Sequence, residues 1–285
     1  MPSLPDDQTA ARMRAALEYA VDTFSCKLEE ADAETWGWGG RSLSAPVTYE
    51  GHSRWIRVAD SPREKATPAS WEGPEAAALH IPPKVPRPRY LGMHRWEEGA
   101  YAYYADLHTR LRGRPLSSTA LPPEDLDLPD RWWDQLSSAL SAISRVPTSR
   151  FAVRPDRPTW AMPKFLGPDA PTEPPSWATV HGDIQWSNLA GPELEILDWE
   201  RWGTAPEGYD VAVLYVSSLA APTVARQVRD RFGNMLDSPA GRFSQLYAAS
   251  EFIQGFGRGA NLQLERPIRD LVAQLLQSNA ATLPS

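Results

Sequence analysis

The segment TVHGDIQWSNLAGPELEILDWERWG, Thr179 to Gly203, gathers polar side chains inside a run that otherwise reads as buried strand. Four residues separate Asp183 from Asn188, and Asp198 stands ten residues beyond Asn188, directly after ELEIL. Leu194 to Leu197 alternates as a strand does, so Asp198 is expected to leave the strand's carboxyl end. A loop with Asp and Asn followed by a strand-end Asp holds the groups that phosphoryl transfer needs. One carboxylate accepts the proton of an attacking hydroxyl, while an amide oxygen and a second carboxylate hold metal ions on the phosphates. Hard oxygen ligands suit Mg²⁺, whose octahedron phosphates and water complete.

Working outward, the residues after this segment have helical spacing in GYDVAVLYVSSLAA, APTVARQVRDRFGNML, GRFSQLYAASEFIQGFGRG and RPIRDLVAQLLQ. Before it, residues 147–175 are rich in proline and carry no regular signal. DRWWDQLSSALSAISRV is expected to be a helix with Trp133, Leu136, Leu140 and Ile143 on one face. RGRPLSSTALPPEDLDLP forms a joint, and a separate amino-terminal lobe precedes it. That lobe, 1–112, should begin with a helix over about 8–31 and continue as antiparallel strands. One of these is RWIRV, with Trp55 and Arg57 on one face and Ile56 and Val58 on the other. A short helix near Pro74 and two strands around a turn at Glu98-Gly99 complete it. The remainder, 113–285, is a mainly helical lobe. The expected class is α+β, a small antiparallel sheet with one helix plus a larger helical lobe, an order that suggests a cleft at the polar segment.

Composition narrows the chemistry. The chain has 285 residues, 42% hydrophobic and 23% charged, enough for two unequal lobes and too apolar for wholesale disorder. A net charge of −7 argues against nucleic acid as a partner, which wants a basic face. Cys26 is the only cysteine, so no internal disulfide forms and a reducing cytoplasm is the expected compartment. No secretory signal is visible, and the longest apolar run, Val211 to Ala221, is too short to span a bilayer.

HGDIQWSN followed by ILDWE resembles the aminoglycoside phosphotransferase and choline kinase superfamily, similar in fold to protein kinases. The layout also resembles an actinomycete branch of undefined substrate. The resemblance implies ATP and Mg²⁺ as cofactors, with Asp183 as catalytic base and Asn188 and Asp198 as magnesium ligands. By the same resemblance His181 is a structural member of the loop, and Asp210 in APEGYDVAVLY braces it. The acceptor is then a hydroxyl of a small molecule, aminoglycoside-like or another metabolite. Two alternatives stay open. One is a kinase for Ser/Thr of a precursor peptide, working beside a biosynthetic enzyme; the other is a non-catalytic kinase fold that binds nucleotide or a partner.

The amino-terminal lobe departs from the kinase pattern, for no Lys lies in the strands expected there. Arg57 is the candidate cation for the α/β-phosphates, with Lys65 in a polar turn, and Glu75 is its expected partner with Glu72 as competitor. Gly39 and Gly40 in WGWGGRSLS are candidates for a phosphate loop, and a ligand-free hairpin turn is the competing reading. Adenine is expected against main-chain groups of Asp106, Leu107 and His108, again by resemblance. Glu200, Trp202 and Glu207 follow the metal Asp and are candidates for acceptor contact, against solvated carboxylates and a core tryptophan.

Overall fold

The computed structural model describes residues 5–29, 34–66 and 71–280. It divides into two compact units, the described residues of Met1–His80 with Arg87–Arg112, and those of Ile81–Pro86 with Gly113–Ser285.

In the first unit, helix α1 (Asp7–Thr23) starts where the Asp6 carboxylate accepts the Thr9 amide at 2.8 Å, a cap that satisfies an otherwise orphaned donor. Its Met13, Ala16, Leu17, Ala20 and Val21 are buried. The helix is shorter than the expected 8–31. Ser25 takes a left-handed φ of 54°, and Lys27–Leu28 (β1) then pairs with a strand. Glu30 and Ala31 lie outside the described residues. Strands β2 (Thr35–Trp36), β3 (Ser42–Tyr49), β4 (His52–Pro62), β5 (Tyr90–Glu98) and β6 (Tyr101–Thr109) complete an antiparallel sheet in the order β1-β3-β4-β6-β5, with β2 also on β3.

Strand alternation gives this sheet two unlike faces. Leu43, Ala45, Val47, Ile56, Val58, Ala105 and Leu107 pack with α1 in one core. Ser42, Ser44, Arg57, Tyr104 and Asp106 fall on the opposite face by register. Helix α2 (Gly73–His80) packs on β5, and Trp71 just before it stacks on Tyr104 at 6.1 Å between ring centres.

The second unit holds β7 (Arg114–Pro115), α3 (Asp130–Ile143), α4 (Asp156–Leu166), β8 (Trp177–Val180), β9 (Ala190–Gly191), β10 (Gly203–Pro206) and helices α5 (Tyr209–Ser218), α6 (Pro222–Leu236), α7 (Pro239–Phe256) and α8 (Glu265–Ala280). Helix α5 is buried along almost its whole length and packs against α6 and α7. Its side chains join Met162, Leu246, Leu264 and Ile268 in one core.

Three sequence expectations change here. Helix α4 lies inside the segment expected to be irregular. Pro158 sits in its first turn, where a missing N–H costs nothing, so only Pro163 is internal. The buried face of α3 centres on Trp132, Trp133, Leu136, Ala139 and Ile143, leaving Leu140 at its edge. Leu194–Leu197 is not a strand. Ala190 N–H donates to Glu195 O, Leu197 N–H donates to Asn188 O, and one bridge joins Leu189 to Ile196. Asp198 therefore leaves a short hairpin, and no helix among the described residues is long and apolar enough to cross a membrane.

Candidate active site

Side-chain alternation builds the loop after β8. Ile184 and Trp186 are fully buried, so the loop is pinned from beneath while Asp183, Gln185 and Asn188 are left half-buried on its surface. The Trp186 indole donates to Ser218 Oγ at 2.9 Å and meets Trp133 edge-on. Gly182 has a φ of 86°, and a Cβ there would lie 2.8 Å from both Ala152 Cβ and Arg201 O, so only glycine fits.

Asp210 holds the same turn from α5. Its buried carboxylate accepts the amides of His181 at 2.8 Å and Gly182 at 2.9 Å. Burial pushes this carboxyl up in pKa, against His181 and the two N–H donors. His181 is also fully buried, and burial drives its imidazole pKa down. The ring accepts the Asp183 amide at Nδ1 (3.3 Å) and meets Trp199 edge-on, so it serves the loop as a neutral strut.

Asn188 Nδ2 donates to Asp183 O at 2.9 Å and to Asp183 Oδ2 at 3.0 Å. That turns the amide nitrogen toward Asp183 and leaves Asn188 Oδ1 as a hard oxygen on the other edge. Gln185 Nε2 donates to Asp183 Oδ1. Burial, then the nearby Asp198 charge, raises the Asp183 pKa; Gln185, Arg201 and Asn188 act the other way. Asp198 is exposed and has a left-handed φ of 60°, a conformation Asp tolerates better than most residues. Among the described residues no group of three or more His, Cys, Asp or Glu could hold a metal ion. A two-ligand site of Asn188 and Asp198 needs phosphate oxygens to complete it.

Two participants escaped the sequence reading. Gln185 steadies Asp183, and its only signal is its position two residues downstream. Arg201 is exposed, yet lies within electrostatic reach of Asp183, Tyr209, Tyr247 and Glu251. Nothing local to the sequence marks it.

The acceptor candidates fare differently. Trp202 is buried (1% exposed) beneath the Arg150 guanidinium, so it is core and cannot touch an acceptor. Arg150 also ties the loop by donating to Trp202 O (3.1 Å) and Glu200 O (3.0 Å). Glu200 is half-buried in that tied loop. Glu207 accepts Ser176 Oγ at 2.5 Å, and its carbonyl accepts Ser244 Oγ at 2.8 Å, so it locks the end of the β8–β10 ladder.

In the first unit, Arg57 is the register partner of Asp106, and Glu72 pairs with Arg95 at 3.9 Å. The charge that Arg57 helps to stabilise is Asp106. Burial raises that carboxyl, but His108 and Arg57 outweigh it and hold its pKa below the ordinary value. Glu75, in the first turn of α2, raises the Tyr90 phenol together with burial. Lys65 is exposed in a short 3₁₀ turn after β4. Gly39 and Gly40 have φ of 63° and 69° in the turn between β2 and β3. A Cβ on Gly39 would meet nothing, whereas one on Gly40 would meet Pro5 at 2.5 Å.

The expected adenine contact is corrected. Asp106, Leu107 and His108 lie within the carboxyl-terminal half of β6, laddered to β4 on one side and β5 on the other, so their main-chain groups are already used. Leu107 faces the α1 core at 1% exposure. Main-chain groups leave the ladders only after Thr109, whose N–H donates to Arg89 O.

No protein-family model matches the sequence, and no curated protein matches it. Solved structures do match. A thermostable mutant of aminoglycoside phosphotransferase APH(4)-Ia, in a ternary complex with ADP and hygromycin B, aligns at TM-score 0.64 and 14% identity over 93% of this chain and 99% of that one. Aminoglycoside 2'-phosphotransferase-IIIa, as its GDP complex, aligns at 0.54 and 14% over 94% and 99%. Spectinomycin phosphotransferase APH(9)-Ia, with ADP and spectinomycin, aligns at 0.54 and 11% over 94% and 98%. The chain thus has the two-lobed α+β fold of the aminoglycoside phosphotransferases, which is similar to that of protein kinases.

Proposed function

We propose that the protein is an ATP-dependent phosphotransferase of the aminoglycoside phosphotransferase superfamily, which moves the γ-phosphate of Mg-ATP to a hydroxyl of a small molecule. The observation that carries this reading is the loop itself. Asp183 is held by Gln185 and Asn188 with Asp198 close enough to raise its pKa, and Asp210 fixes the turn from behind. The neighbours of the same fold that hold ADP support the choice of nucleotide.

When bound, Mg²⁺ neutralises phosphate charge as the transferred group moves. Asn188 Oδ1 and the Asp198 carboxylate are the chain's ligands for it. Asp183 accepts the proton of the acceptor hydroxyl. The Gln185 and Asn188 amides fix its two oxygens so that no rotation is needed at the moment of transfer, and such prepaid orientation lowers the barrier. Arg57 serves as the cation for the α/β-phosphates.

The test is Asp183→Asn, assayed for melting temperature, Mg-ATP affinity and ATP turnover with a panel of hydroxyl acceptors. Normal folding and nucleotide binding are expected, with turnover lower by roughly 10²-fold or more, the scale of lost general-base catalysis. Turnover at the wild-type rate would remove Asp183 from the chemistry. Wild-type protein that neither binds nor consumes Mg-ATP would favour a non-catalytic fold.

A further inference from the structure

Asp106 is an acid shut away from water inside the first unit. It is 2% exposed, and among the described residues its Oδ1 accepts no hydrogen bond. A buried carboxylate of this kind is costly unless an opposite charge stands near it. His108, two residues on along the same face of β6, brings Nε2 to 3.4 Å from Oδ1. Arg57 is the direct partner of Asp106 across the β4–β6 ladder. Residues directly opposite in an antiparallel pair share a face, with Cβ atoms about 4.5–5.5 Å apart. An imidazole gives up its charge near neutral pH and a guanidinium does not, so Arg57 is the permanent counter-charge.

The pair constrains Arg57 as well. Arg57 is half-buried on the polar face, bracketed in its row by Ser44 on β3 and Asp106 on β6. Its long side chain has many rotamers, and a fixed carboxylate opposite favours those that keep the guanidinium over this face. The register runs unbroken from Arg54 and Thr109 to Pro62 and Tyr101, so the ladder itself sets the pair. The acids near α2 act on other groups. Glu72 pairs with Arg95 at 3.9 Å, and Glu75 adds to burial in raising the Tyr90 phenol.

We infer that Asp106 is the positioning residue for Arg57, the carboxylate that holds this guanidinium ready for the α/β-phosphates of Mg-ATP, in place of the helix residue Glu75. This rests on the phosphotransferase reading and deepens its nucleotide site, because the phosphate cation is then set by the sheet and not by α2. A guanidinium fork already held in place loses less freedom on meeting phosphate. A carboxylate that merely competed with phosphate for Arg57 would do the reverse, and nucleotide would bind more tightly once it was neutralised.

The experiment is a double-mutant cycle read by calorimetry with Mg-AMP-PNP, at a temperature where melting curves show each variant folded. Asp106→Asn should weaken binding by about fivefold or more when Arg57 is present, and by no more than about twofold beside Arg57→Gln, as coupled charges require. Glu75→Gln should change affinity by the same factor in both backgrounds. Equal losses from Asp106→Asn with and without Arg57 are the mark of a purely structural role and overturn the inference. Unchanged or tighter binding in Asp106→Asn overturns it too. If Asp106→Asn does not fold, the Glu75 cycle decides. Additivity there supports Asp106, and a loss that vanishes beside Arg57→Gln hands the role to Glu75. Failure of the phosphotransferase reading looks different, because wild-type protein itself would not bind Mg-AMP-PNP.

Discussion

Removing the Asp210 carboxylate should loosen the loop that holds Asp183 before it changes any contact to a ligand. The side chain is 5% exposed and accepts two amides, from His181 at 2.8 Å and Gly182 at 2.9 Å, both in a fully packed turn. Asp210→Ala leaves both donors buried without an acceptor, at about 1–3 kcal/mol each, so about 2–6 kcal/mol in all. Asp210→Asn keeps one acceptor oxygen but turns an NH₂ toward the second amide, and about 1–3 kcal/mol is expected. Since about 1 kcal/mol moves the midpoint of a domain of this size by about 2–4 °C, the alanine variant should melt about 4–24 °C lower. Urea denaturation of both variants gives the free energies, and ATP turnover measured well below the transition gives the functional cost. Turnover should fall in both even where the protein is fully folded, because Asp183 is anchored through His181 Nδ1. An alanine variant within about 0.5 kcal/mol of wild type, the range of an ordinary surface change, would refute the brace.

Asp198→Ala should weaken Mg-ATP binding strongly by calorimetry while leaving ATP binding in EDTA unchanged; equal Mg-ATP affinity would take Asp198 out of the metal site. Arg57→Ala should raise the Mg-ATP concentration needed for half-maximal turnover, and Arg57→Lys should recover part of it as a point charge. Identical behaviour of wild type and Arg57→Ala would move the phosphate cation elsewhere. Asp106 provides a pH test. Its folded pKa lies below the ordinary 3.8, so the stability it adds over Asp106→Asn is fully present above 3.8 and is lost as pH falls through the folded value. Denaturation of the pair should show a gap that closes as pH falls below 3.8; a gap that widens below 3.8 would contradict the assigned direction.

Much of this molecule is written in local pattern. The alternation of Trp55, Ile56, Arg57 and Val58 gives the two-faced sheet, because strand side chains must alternate. The apolar spacing after Tyr209 gives the buried helices of the second unit. What failed depended on neighbours far along the chain. Adenine placement on Asp106 to His108 ignored that β5 and β4 both claim β6, a fact of sheet order that no local window contains. Helix α4 was hidden by prolines whose harm depends on position within the helix. Arg201 lies in a loop before β10, and its electrostatic partners Tyr209, Tyr247 and Glu251 come from α5 and α7, which pack together far along the chain.

Helix α5 touches the Asp183 loop at two places. Asp210 in its first turn carries His181 and Gly182, and Ser218 at its last residue carries the Trp186 indole. Ser218 stands eight residues beyond Asp210, about 12 Å along the helix at 1.5 Å per residue. A rod clamped at both ends lets the loop neither slide nor tilt unless the rod itself moves. The amides of the loop and of α5 should then open to solvent exchange as one cooperative unit, with a shared opening free energy close to that of unfolding the helical core. Whatever part of the protein moves during a catalytic cycle, this loop is the fixed frame against which the motion is measured.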